Sequence, residues 1–153
     1  MEAALPSDLD ALQGVLGYNF RDLSLLERAL THRSFANEHP PARDNEALEF
    51  AGDAVLGFLV ADLLIRRFPE EGAGSLTQRR ALLVSGKTLA SWAQTLGLGE
   101  HVSLGRGEEL TGGREKESIL AAALEAVIAA VYLDGGIEAA REVVARFVAR
   151  SIN

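Results

Sequence analysis

Apolar residues recur three and four positions apart over most of the chain, and no stretch shows the strict alternation of a half-buried strand, so the predicted class is all-α. The strongest pattern runs from Asn45 to Phe68, NEALEFAGDAVLGFLVADLLIRRF. It contains no proline and is stopped by Pro69, so as a helix it measures about 36 Å, enough to cross a small domain. Leu48, Ala51, Val55 and Leu59 cluster on one side of it. From Ala54 onward every face carries apolar residues, the pattern of a helix surrounded by others, and only the first two turns are expected to face solvent broadly. This is the expected central helix.

The same reasoning places helices before and after it. Ser7 with Asp10 resembles a capping box, and Leu9, Leu12 and Leu16 then form a stripe ending at Gly17. Asp22 is placed to cap a second helix whose Leu25, Leu26, Ala29 and Leu30 share a face. It leads into Thr31-His32-Arg33-Ser34-Phe35, where His32 reads better as a hydrogen-bonded structural histidine than as a ligand. Polar composition and Pro40-Pro41 mark Ala36 to Asp44 as a surface loop of little consequence to the core. Ser75 with Gln78 makes a second capping box ahead of RRALLVSG, in which Arg79 and Arg80 are either a solvated face or weak contacts to phosphate.

A helix from about Lys87 to Leu96 buries Leu89, Trp92, Ala93 and Leu96 and ends at Gly97, with Trp92 in the core and not a base-stacking platform. Ser118 to Leu133, SILAAALEAVIAAVYL, is almost wholly apolar and is ended by Asp134-Gly135-Gly136. The last helix, about Ile137 to Ser151, turns Ala140, Val143, Val144, Phe147 and Val148 inward and Arg141, Glu142, Arg146 and Arg150 outward.

Candidate chemistry lies where polar residues break these patterns. Glu46, Glu49 and Asp53 fall within an arc of roughly 60° on the first turns of the central helix. Favourable interaction with the helix dipole accounts for Glu46 and Glu49. It does not account for Asp53, which lies beyond the first turn and ahead of an apolar run; a divalent-cation site and a solvated acidic patch both remain open. Phe50 projects beside these acids and nearly opposite Leu48, which requires a covering loop or a partner subunit. Glu125 stands alone in its apolar helix, where a carboxylate needs a cation, a hydrogen-bond network or a raised pKa.

Composition narrows the classes. With 153 residues, 48% hydrophobic and 24% charged, the chain fits one domain, spanning 1–153, with its own core. No uncharged apolar run reaches the length of a membrane span, and MEAALPSDLD lacks the regions of a secretory signal, so a cytoplasmic protein without a membrane partner is expected. The absence of cysteine leaves only oxygen and histidine nitrogen as metal ligands. A net charge of −7 argues against holding nucleic acid by bulk electrostatics. GRGEEL lacks the third glycine of a dinucleotide loop and follows no strand, so no nucleotide cofactor is expected.

Two apolar helices each carrying an inward acid can gather Glu49, Asp53 and Glu125 around a cation. A di-iron bundle would need Glu-x-x-His pairs, but Ala29, Ala36 and Leu98 stand three positions before His32, His39 and His101. A redox-inert, oxygen-bound metal such as Mg²⁺ is favoured, with Mn²⁺ as a substitute.

NEALEFAGDAVLG resembles the signature motif of the ribonuclease III family, and ALTHRSFANE, LGRGEELTGGREKESILA and AAVYLDGG resemble its other blocks in order. The resemblance covers nearly the whole chain. It implies an all-helical endonuclease domain, a two-fold homodimer cleaving double-stranded RNA in RNA processing. By match to the motif it implies active-site roles for Glu46, Glu49 and Asp53 and for Glu125, and insertion of Phe50 into the partner subunit. The family pattern would place an Asp three residues before Glu125, where this chain has Ala122, so impaired cleavage is expected. Many members continue into a double-stranded-RNA-binding domain where this chain stops, at Asn153, so weak, salt-sensitive RNA affinity is expected. The alternative is a non-catalytic relative that binds or scaffolds RNA.

Overall fold

The computed structural model describes the backbone of residues 6–152 and the side chains from Leu9 to Ser151. Among them every regular element is helical: α1 (Pro6–Leu16), α2 (Leu23–Ala29), α3 (Arg33–Glu38), α4 (Glu46–Arg67), α5 (Ala73–Leu83), α6 (Gly86–Thr95), α7 (Arg106–Leu110), α8 (Glu117–Gly135) and α9 (Ile137–Ile152). Short 3₁₀ turns occupy Leu98–His101 and Gly113–Glu115, and strand-like pairing is limited to one bridge between Thr31 and Ser103. The expected all-α class is the one observed.

The innermost element is α8. It packs most extensively on α4 and also meets α6, α9 and α2. Ala123, Leu124 and everything from Ala126 to Val131 are buried. By length and composition α8 could cross a membrane, but here protein covers these side chains, as in the central helix of a folded domain.

The long helix expected to be central, α4, runs beside it. Its buried residues are Leu48, Gly52, Leu56, Leu59, Val60 and Leu64, while Ala51 and Val55 are half-buried. One side is open: Phe50 is 83% exposed, Phe58 55% and Ile65 58%, with Ala54 exposed between them. The expectation that helices surround α4 from Ala54 onward is therefore corrected. An apolar face looks the same in sequence whether its cover comes from the same chain or is absent.

Side-chain caps explain some of the helix starts. The Asp22 carboxylate accepts from the Ser24 N–H at 3.1 Å, and Ser85 Oγ accepts from the Thr88 N–H at 3.2 Å. The box expected at Ser7 falls on a side chain outside the described residues. The box expected at Ser75 does not form. Helix α5 begins after Gly72, and the Ser75 hydroxyl turns back to Glu71 at 2.6 Å.

The segment expected to be loop from Ala36 contains the end of α3. His32 Nδ1 accepts from the Ser34 N–H at 3.2 Å and caps that helix, and Phe35 is buried within it. Ser34 Oγ and the Glu38 carboxylate then accept from the N–H groups of Gly105 and Arg106, at 2.8 and 2.9 Å, docking α3 on α7. Trp92 lies in the core as expected, its ring stacked on Phe147 at 5.3 Å and its Nε1–H donating to Ser151 Oγ at 3.1 Å.

Candidate active site

The site is built where α4 crosses α8. A Cβ at position 52 would overlap the carbonyl oxygen of Glu125, so glycine there lets the two backbones touch. That approach puts Asp53, one residue on, against the Glu125 side chain, and the two share a hydrogen bond. Glu49, one turn earlier, lies close enough to act on both through space. Asp53 and Glu125 are thus side by side, with Glu49 near them on α4.

Their electrostatics follow from crowding. Burial pushes the Glu125 carboxyl up to about 8, aided by the hydrogen bond and the negative charge of Asp53 and by the charge of Glu49. Glu49 is also raised, by burial first and then by Glu46 and Asp53. Carboxylates that hold protons this tightly are ones that a divalent cation would relieve, and hard oxygen donors suit Mg²⁺. Ala122 lies one turn before Glu125 and presents a methyl group, and among the described residues no three acid or histidine side chains are gathered as a ready-made cage.

Glu46 stands at the outer edge. It is 59% exposed and 3.9 Å from the Arg33 guanidinium, itself 67% exposed. The start of its helix is held from inside: the Asp44 carboxylate accepts from the Glu46 N–H at 3.1 Å, while buried Asn45 donates from Nδ2 to the Ala29 carbonyl and from its N–H to the Thr31 carbonyl, both at 2.9 Å. His32 is the hydrogen-bonded structural histidine expected; burial is the main cause that keeps its pKa low.

Among the described residues no loop covers Phe50. At 100° per residue Phe50, Ala54, Phe58, Ala61 and Ile65 fall within about 80° of one another, making an apolar strip along α4. The strip ends in a groove of about 200 Å³ lined by Ala61, Leu64, Ile65, Ala73, Leu76, Thr77 and Arg80. Arg79 is held by Glu71, at 2.7 Å and 2.8 Å, with its guanidinium 3.7 Å over the Phe68 ring. Sequence reasoning passed over Asn45, Arg33 and the role of Gly52. A glycine inside an apolar helix was the legible sign of close backbone approach.

Comparison with known proteins identifies the family. Residues 22–152 match the family described as Ribonuclease-III-like. A Ribonuclease 3 of Pseudomonas fluorescens (strain SBW25) is 51% identical over 144 residues, covering 94% of this chain and 61% of the relative. One from Symbiobacterium thermophilum is 53% identical over 137 residues, covering 90% and 56%. The chain therefore spans little more than half the length of these relatives. The nuclease domain of Ribonuclease III from Campylobacter jejuni superposes with a TM-score of 0.87 at 41% identity, over 93% of this chain and 96% of that one. Dicer from Pichia stipitis superposes with a TM-score of 0.64 at 25% identity, over 86% and 56%. On fold, sequence and extent of match together, this chain belongs to the ribonuclease III family.

Proposed function

We propose that the chain is the endonuclease domain of a double-stranded-RNA-specific ribonuclease that uses Mg²⁺ and acts as a homodimer. The observation that supports this reading is the pairing of Asp53 with Glu125 where Gly52 lets α4 touch α8, with Glu49 acting on both through space. A bound Mg²⁺ would supply an activated water and stabilise the leaving oxygen of a phosphodiester. Asp53 and Glu125 would hold it, with Glu49 beside them. Glu125 would give up the proton that it shares with Asp53. Glu46, at the solvent edge, would face the incoming strand. The products would carry 5′-phosphate and 3′-hydroxyl ends.

Dimerisation is supported by the apolar strip. Two copies of α4 packed antiparallel about a two-fold axis near Phe58 would set each Phe50 against the end of the partner's strip, where the groove lies. The Campylobacter jejuni domain has a region involved in dimer formation. One aromatic strip meeting one aromatic-sized groove, twice over, is the arrangement that isologous contact requires.

A second reading, a non-catalytic domain that binds or scaffolds RNA, rests on Ala122, since a methyl group cannot replace a ligand carboxylate. Cleavage of a duplex RNA in Mg²⁺ by this chain beside its Ala122→Asp form separates the two. Strong duplex cleavage by Ala122→Asp supports the nuclease reading; no cleavage by either form favours the scaffold.

A further inference from the structure

An acidic chain, with 22 Asp and Glu against 15 Lys and Arg, repels a polyanion, so RNA reaches the α4 carboxylates only where guanidinium groups offset that field. The cations expected to do so are engaged elsewhere: Arg79 with Glu71 and Phe68, Arg80 along the apolar groove. The cations that border the acids come from α2 and α3. Arg33 lies 3.9 Å from Glu46. Arg28 Nε donates at 3.1 Å to the carbonyl of Asp44, whose carboxylate accepts from the Glu46 N–H, and exposed Arg43 adjoins it in the chain.

We infer that Arg33 is a positioning residue that binds a phosphate of the RNA strand entering beside Glu46, exchanging that carboxylate for the substrate. This rests on the reading of the chain as an RNA nuclease domain. The mount of Arg33 is rigid. The His32 N–H donates to the Ser103 carbonyl at 3.1 Å, Phe35 is buried, and Ser34 and Glu38 pin α3 to α7. Its guanidinium is mostly exposed and its ion pair is long, and exposed pairs of this kind hold weakly. A guanidinium fork matches phosphate better than it matches a carboxylate at 3.9 Å, so the exchange is favourable. It also releases Glu46, whose charge already acts on Glu49, toward the site.

The test is binding of a short blunt duplex RNA in Ca²⁺ across a monovalent salt series. The proteins compared are the parent, Arg33→Ala, Arg33→Lys and, as a control for lost charge, Arg150→Ala in the last turn of α9. Arg33→Ala is expected to bind about tenfold more weakly and to lower the salt slope by about one. Arg33→Lys is expected to keep the slope and recover part of the affinity, because an ammonium keeps the charge but not the fork. Arg150→Ala should stay close to the parent. If the parent binds and Arg33→Ala matches Arg150→Ala in affinity and slope, the inference about Arg33 is overturned by itself. If the parent does not bind duplex RNA at any salt concentration, the nuclease reading falls, and this inference with it.

Discussion

Gly52 and Glu125 meet backbone to backbone, so that a methyl group on the first would occupy the carbonyl oxygen of the second. This contact sets the spacing of α4 and α8, and Asp53 and Glu125 share a hydrogen bond because of it. Gly52→Ala is expected to force the helices apart and destabilise the fold by about 3 kcal/mol, as for overpacking at a site without room to relax. Urea unfolding measures this. An unchanged midpoint would mean that the helices can shift at no cost.

Ala122 and Glu125 are three residues apart on α8, so an Asp at 122 would face the same crossing. Ala122→Asp is expected to tighten Mg²⁺ and Mn²⁺ binding and to raise duplex cleavage by at least about a hundredfold, given tenfold per 1.4 kcal/mol of transition-state stabilisation. Calorimetry with each metal and a single-turnover assay report the two effects separately. Equal affinities and equal rates for both forms would remove position 122 from the ligand set.

The raised carboxyl of Glu125 has a definite pH signature. Its pKa moves from 4.5 when unfolded to about 8 when folded, so between these values the folded chain holds a proton that the unfolded chain has lost. The stability contributed is complete below about pH 4.5 and is lost as pH rises to about 8. Because the group is only half-buried, solvent screening reduces the effect to about 1 kcal/mol. Comparing metal-free parent and Glu125→Gln by denaturant unfolding at about pH 5 and pH 9 isolates it. The parent should lose stability relative to the variant at the higher pH; parallel behaviour would place Glu125 in water.

Metal binding should carry the same signature. Divalent-ion affinity of the parent is expected to rise with pH until about 8 and then level, since the ion must displace the Glu125 proton. Calorimetry in buffers of different ionisation enthalpy counts that proton. Affinity independent of pH would mean that the ion binds without Glu125.

Phe50, at 83% exposed, and the groove at the far end of its own strip are the two halves of one expected contact. Phe50→Ala should weaken the dimer by about 3 kcal/mol or more per pocket, on the scale of aromatic truncations in cores, with two pockets per dimer. Sedimentation over a dilution series reads it. A monomeric parent, or a variant dimer of equal affinity, would leave the strip without this role.

Periodicity alone determined a good deal of this protein. Spacing at three and four residues identified the helical class, the run of α4 to Pro69 and the inward face of α9, where Ala140, Val143, Val144, Phe147 and Val148 are all buried. It also put Glu46, Glu49 and Asp53 on one side of α4. These are local properties, carried by residues within a turn or two of each other. Tertiary structure decided the rest, because it turns on partners distant in the chain. Arg79 is occupied through Phe68 and Glu71, which fold back across the Pro69 turn. Glu125 acquires its environment from α4, some seventy positions earlier on the ~3.6-residue period that both helices share. The open strip on α4 could not be read from its own residues, since an apolar side chain is the same in sequence whether a neighbouring helix covers it or not.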